Sequence, residues 1–97
     1  MESSKNIRAK LNDLYHDISD SFTDIKGSVS ENTLSKSTAV GMLEEIYNNG
    51  KSDYIDIKSS NSNAEKLFIE SDKKFNPLFG NIQNHIDQYN ADLDFIK

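Results

Sequence analysis

The stretch that decides the fold is residues 54–96, YIDIKSSNSNAEKLFIESDKKFNPLFGNIQNHIDQYNADLDFI. A single set of mostly apolar positions recurs through it at alternating steps of three and four: Tyr54, Ile57, Asn61, Ala64, Phe68, Ser71, Phe75, Leu78, Ile82, Ile86, Tyr89, Leu93 and Ile96. This spacing puts one narrow apolar stripe along one face of a helix. Such a helix has to bury its stripe against another helix, in its own chain or in a partner. The sequence therefore predicts an all-α protein.

A second apolar stripe opens the chain and predicts another helix. Its members are Ile7, Leu11, Leu14, Ile18, Phe22 and Ile25. Ser3 or Ser4 can cap the start of this helix, which the pattern extends to about residue 26. Between Gly27 and Ser37 the pattern weakens, so the helix either continues through a polar middle or breaks near Gly27 and restarts.

The strongest stop signal is Asn48-Asn49-Gly50, because Asn and Gly tolerate the left-handed conformation that closes many helices. A turn at residues 49–51 would separate an arm of about 4–48 from an arm of about 52–96. The sequence thus predicts one domain over residues 1–97, an antiparallel helical hairpin with kinks near Gly27 and Pro77. A kink at Pro77 is favoured over a new helix, because the apolar phase passes through it undisturbed. If Gly27 and Pro77 are true breaks, the alternative is a compact four-helix bundle.

Composition narrows the classes of function. The chain has a net charge of −5, and its 11 basic residues are scattered, unlike the concentrated basic face of a nucleic-acid binder. The same scatter argues against an anionic membrane surface as a partner. The N-terminal residues lack the apolar core of a signal peptide. We therefore expect no nucleic acid, no membrane, and a cytoplasmic protein, with export that uses no cleaved signal peptide left open.

Groups suited to catalysis or metal binding are few. Asp13, His16, Asp17 and Asp20 share one helical face, which is the pattern of a carboxylate–histidine metal site. A solvated polar face is the favoured interpretation, because metal-binding bundles need several such motifs facing inward. The chain has no cysteine, no Gly-rich phosphate loop and no Ser in a strand–turn–helix setting. We expect a protein that is not an enzyme and holds no metal or cofactor.

The predicted hairpin leaves apolar area uncovered, because two helices close only one seam. The candidate partner-binding residues lie on or beside the second stripe: Phe68, Asp72, Phe75, Phe79, Ile82, Ile86, Tyr89 and Leu93. We expect them to pair with a helical protein or with a second copy of the chain.

An acidic, leaderless helical hairpin with its turn at the midpoint resembles the small WXG-type proteins of bacterial type VII secretion and the helical partners of LXG toxins. Tyr47 and Gly50 supply an aromatic residue and a Gly at the turn, without the family's Trp-x-Gly. Phe68 and Asp72 fit the Phe-x-x-x-Asp pattern of toxin-partner proteins. The resemblance implies leaderless export and pairing with the helical domain of a toxin. It makes a type VII secretion substrate, or a chaperone-like or targeting subunit for a toxin, the first expected function.

A small acidic immunity or inhibitor protein is the second expected function. It would fold as the four-helix bundle and neutralise a bacterial toxin through its acidic surface. The shape of the molecule separates the two expectations, since a hairpin is rod-like and a bundle is compact.

Overall fold

The structure, a computed structural model, describes residues 2–96, except for the side chain of Ile96. The predicted burial of Ile96, the last member of the longer stripe, therefore lies outside what the structure describes. It contains three helices, α1 (Ser4–Ser30), α2 (Lys36–Ser60) and α3 (Glu65–Ile96). Successive helices run antiparallel, and the bundle measures 51 × 20 × 17 Å. The all-α prediction is confirmed. The two-helix hairpin and the four-helix bundle are both wrong, because the chain turns twice, at places other than residues 49–51.

The first turn lies a few residues beyond the predicted break. The Ser3 side chain caps α1 by accepting a hydrogen bond from the Asn6 amide (3.2 Å), and the helix runs through Gly27. It ends where Asn32 adopts a left-handed conformation, with φ of 61°. Ser35 then caps α2 in the same way as Ser3 caps α1. The exposed Gly27 weakens α1 without ending it, because one Gly costs about 1 kcal/mol against the packing of the whole helix.

The predicted hairpin turn at Asn48-Asn49-Gly50 lies inside α2, so that prediction is wrong. Gly50 is buried, and a Cβ atom there would lie 2.6 Å from Ile18 Cδ1 and 3.4 Å from Phe79 Cε1. The missing side chain lets α2 approach α1 and α3 closely. Gly permits a left-handed turn, and it also permits two helices to pack closely. Gly50 serves the second purpose, because it lies inside α2.

The second turn spans residues 61–64, in the middle of the predicted second arm. The Asn61 side chain donates a hydrogen bond from Nδ2 to the Ile57 carbonyl oxygen (2.8 Å), and the Ala64 amide donates to the Asn61 carbonyl oxygen (2.9 Å). These bonds close the end of α2 and turn the chain back. The predicted continuous arm over 52–96 is therefore divided between α2 and α3.

The last helix continues through Pro77, as the undisturbed apolar phase predicted. Pro77 is exposed, so its ring lies on the outer face of α3 and leaves the packed face intact. The break at Pro77 that a four-helix bundle requires is not present, and α3 extends over 32 residues.

All three helices contribute to one apolar core, and its centre is aromatic. The predicted burial of Phe68, Phe75, Ile82 and Tyr89 is confirmed. Phe75 stacks on Tyr54 with ring centroids 4.2 Å apart. Phe75 also contacts α1, where the Tyr15 ring lies edge-on to it with ring centroids 5.5 Å apart. The core therefore joins α1, α2 and α3 at a single level of the bundle.

Candidate functional site

The predicted partner-binding residues lie mostly inside the chain's own core. Six of them are buried: Phe68, Phe75, Phe79, Ile82, Ile86 and Tyr89. Leu93 is half-buried and packs against the same core. These residues lie on α3, and α1 and α2 together cover the apolar stripe that a hairpin would leave open. In the folded monomer these side chains are therefore covered, and they stabilise the bundle.

Asp72, the remaining predicted partner-binding residue, links α3 to α2. Its carboxylate accepts a hydrogen bond from the hydroxyl of the buried Tyr54. It also forms an ion pair with Lys58 Nζ at 3.0 Å. The hydrogen bond from Tyr54, with a smaller contribution from Lys58, holds the pKa of Asp72 below its ordinary value. Burial, followed by the hydrogen bond to Asp72 and then by the negative charge of Asp72, raises the pKa of Tyr54. This arrangement stabilises the α2–α3 contact and gives Asp72 a structural role.

Replacing Asp72 with Asn should make the bundle less sensitive to acid. Because folding lowers the pKa of Asp72, its stabilisation is complete above about pH 4, the ordinary pKa of Asp, and is lost as the pH falls through the folded value. We expect Asp72→Asn to lower the free energy of unfolding at pH 7 by about 1 kcal/mol, as for a partly exposed charged hydrogen bond. Urea unfolding at pH 7 and at pH 2 measures the free energy of unfolding of wild type and of Asp72→Asn.

The control for this experiment is Asp17→Asn, which removes an exposed carboxylate of the same type on α1. The difference between wild type and Asp72→Asn should nearly vanish at pH 2. An equal difference at both pH values would contradict an electrostatic role for Asp72.

A strongly acidic groove runs between α1 and α2, and it is the first of two candidate binding surfaces. It encloses about 410 Å³ and is lined by Lys10, Asp13, Leu14, Asp17, Asp53, Asp56 and Ile57. Asp13 and Asp17 stand one turn apart on α1 and face the two Asp residues of α2. Within residues 2–96 none of these four carboxylates forms an ion pair, since Lys10 is paired with Glu2 at 2.8 Å. We call this surface the acidic groove.

The acidic groove carries an excess of negative charge. Four of the chain's 16 Asp and Glu residues line it, against one basic residue, Lys10, which is paired with Glu2. Half-buried Leu14 and Ile57 form an apolar floor beneath the carboxylates. Such a surface attracts a cationic partner over a distance and offers it an apolar contact on arrival.

The second candidate surface is a groove between α1 and α3, which contact each other less than either contacts α2. It encloses about 340 Å³ and is lined by Arg8, Leu11, Asn12, Tyr15, Leu67, Glu70, Ser71, Lys74 and Phe75. Leu11, Leu67 and Phe75 supply its apolar floor. Lys74 Nζ lies over the Tyr15 ring, 4.8 Å from its centroid, at one end. We call this surface the α1–α3 groove.

The exposed large apolar side chains are dispersed. Within the described chain they are Met42, Ile55, Ile69 and Phe95, with Phe95 at 92% exposure near the end of α3. Dispersed apolar residues are normal on monomeric proteins and form no apolar patch of the size typical of an interface. The two grooves are therefore the surfaces best suited to binding.

Residues that could hold a metal ion are not brought together. The predicted face of Asp13, His16, Asp17 and Asp20 is exposed on α1, and His16 instead lies edge-on to the Tyr15 ring, with centroids 5.9 Å apart. Over residues 2–96 no group of three or more His, Asp or Glu side chains has the arrangement of a metal site.

None of the helices, over residues 2–96, combines the length and the apolar character needed to cross a membrane.

Sequence reasoning placed Asp13 and Asp17 on one solvated helical face but did not predict the acidic groove. Their position opposite Asp53 and Asp56 depends on the turn at residues 31–35. In an antiparallel hairpin that turns at residues 49–51, Asp53 and Asp56 would instead lie beside the end of the first arm, far from Asp13 and Asp17. The α1–α3 groove depends on the second turn in the same way.

Comparison of the chain with protein-family models, with curated proteins and with solved structures finds no match.

Proposed function

We propose that this chain is a non-enzymatic protein-binding bundle whose acidic groove receives a basic surface of a protein partner, as a small immunity or inhibitor protein would receive a bacterial toxin. The observation that carries the proposal is four carboxylates that form no ion pair with any residue of 2–96 and stand above an apolar floor, between α1 and α2. The summed charge of these carboxylates attracts a cationic partner. The core that the three helices close supports a self-contained binder over an open hairpin.

The electrostatic character of the acidic groove predicts how binding should depend on salt. Attraction between the four carboxylates and a basic surface accelerates encounter and is screened as ionic strength rises, with a Debye length of about 10 Å at 0.1 M. The apolar floor at Leu14 and Ile57 supplies contact that salt does not screen. A partner of this kind binds fast at low salt and retains part of its affinity at high salt.

The experiment is co-expression with each protein encoded beside this chain, followed by measurement of affinity for any that co-purifies. The test variant carries Asp13→Asn, Asp17→Asn, Asp53→Asn and Asp56→Asn together. The control variant removes the same number of charges from exposed positions outside the grooves, through Asp24→Asn, Glu31→Gln, Glu45→Gln and Glu65→Gln. We expect the test variant to lose at least about tenfold in affinity at low salt, consistent with lost charge pairs, and the control to lose much less. Equal losses would overturn the proposal.

A second candidate function rests on the α1–α3 groove. We propose as the alternative that a helix of a toxin's N-terminal domain enters the α1–α3 groove, above the buried Leu11, Leu67 and Phe75, which would make the chain a type VII secretion partner. Two parallel helices with an apolar floor between them accept the apolar face of a further helix. Asn12→Arg, at an exposed residue of the groove lining, should then abolish the complex while the four acidic-groove substitutions leave it intact. The opposite pattern supports the acidic groove. Export of the chain belongs to this alternative.

A further inference from the structure

The apolar stripe of α2 continues into α3 across the turn at residues 61–64 without a change of phase. Counting in sevens from Val40 reaches Tyr47, Tyr54, Asn61, Phe68, Phe75, Ile82 and Tyr89. All these residues are buried in the bundle except Tyr47, which is half-buried. Seven residues are close to two helical turns, so a single helix through the turn, with the left-handed supercoil that a heptad pattern imposes, keeps all of them on one face. The core pattern therefore fits two chain paths, one bent and one straight.

The turn itself contains little that forces the chain to bend. Residues 61–64 read Asn-Ser-Asn-Ala, with no Gly or Pro. None of them has a left-handed backbone; among residues 2–96 the only non-Gly residue with positive φ is Asn32, in the first turn. The bend depends mainly on the hydrogen bonds that Asn61 makes through its side chain and its carbonyl oxygen.

Asn61 also leaves one polar atom unsatisfied in the bent path. The residue is 2% exposed, and its Oδ1 atom has no hydrogen-bond partner among the described residues. A buried acceptor without a donor is destabilising. The bent path therefore carries an energetic cost at the residue on which the bend depends.

We infer that two copies of this chain exchange α3. The turn at residues 61–64 straightens, α2 and α3 become one helix, and α3 of each copy packs on α1 and α2 of the other. Symmetric exchange conserves every core contact, because each copy supplies the residues that it withdraws from itself. The apolar stripe of α3 then packs on a second copy of the chain. Neither of the proposed functions requires this exchange.

The test measures the distance between two spin labels, at Asn48→Cys and Asp87→Cys. Both positions line one groove between α2 and α3, so they are close in the bent chain. The chain has no cysteine of its own, so only these sites react. In the straight chain the two labels would be about 58 Å apart, at 1.5 Å per residue. The labelled chain is unfolded and refolded with an excess of unlabelled chain, so that label pairs between copies do not contribute.

We expect a long-distance population that increases with total protein concentration. A short distance alone at every concentration would overturn the exchange. Two variants provide an independent readout of dimer mass by light scattering. Asn61→Leu completes the apolar stripe and removes the cap of α2, while Ser62→Gly with Asn63→Gly disfavours a helix through the turn.

The two variants should change the dimer dissociation constant by at least tenfold in opposite directions, tighter for Asn61→Leu and weaker for the glycine pair. Ser62 and Asn63 are exposed, so the glycine variant keeps the fold even if Asn61→Leu does not. A glycine variant that dimerises as strongly as wild type would contradict straightening of the turn.

Discussion

Replacing Phe75 with Ala is expected to lower the free energy of unfolding by about 3–5 kcal/mol. Phe75 is 2% exposed and lies where the three helices meet. Its ring stacks on Tyr54 of α2 and contacts Tyr15 of α1, so its removal leaves a cavity that no single helix can fill by shifting. Domains of this size have about 5–15 kcal/mol of stability in total, so the variant should be close to unfolding.

Urea denaturation followed by circular dichroism measures this change, with Asp17→Ala as the surface control. Asp17 is exposed on α1, and its replacement should alter the free energy of unfolding by no more than about 0.5 kcal/mol. If the two variants were equally stable, Phe75 could not be the residue that joins the helices.

Replacing Gly50 with Val is the second change expected to be severe, and we expect it to lower the free energy of unfolding by about 1–3 kcal/mol. The first added carbon would lie 2.6 Å from Ile18 Cδ1 and 3.0 Å from Ile18 Cγ1, so the buried Ile18 side chain would have to shift within the core. The further methyl groups of Val add to the overlap. A β-branched residue also regains little of the helix propensity that Gly lacks.

Gly41, on the same helix, is the matched control. It is exposed, and nothing lies within 4 Å of the position a Cβ would take. Gly41→Ala should therefore raise the free energy of unfolding by up to about 1 kcal/mol, while Gly50→Ala should fail to do so. Thermal unfolding of the four variants, Ala and Val at each position, measures the contrast. Stabilisation by Val at Gly50 would show that α2 does not approach α1 this closely.

These two positions also show how far the sequence could predict the fold. Phe75 belongs to a stripe whose spacing identifies both the helix and its buried face, so its burial was predictable. Gly50 was not, because Asn-Asn-Gly is equally compatible with a helix stop and with a close helix crossing. Only the neighbouring Ile18 and Phe79 distinguish the two, and they are remote in sequence.

The second turn, at residues 61–64, could not be predicted from the sequence for a different physical reason. The heptad pattern passes through Asn61 without a phase change, and local sequence reasoning treats an unbroken phase as an unbroken helix. The bend depends on hydrogen bonds of one amide and on the packing of α3 against α2. The two grooves could not be predicted from the sequence for a similar reason. Each groove lies between two helices, and the relative position of those helices depends on where the chain turns.

The most extensive packing in this bundle joins helices that follow one another in the chain. Contacts between near neighbours close small loops, and proteins dominated by them fold in microseconds to milliseconds. We therefore expect the bundle to assemble in this range of times once α3 is present to close the core. Rapid assembly shortens the period in which the apolar faces are open to aggregation.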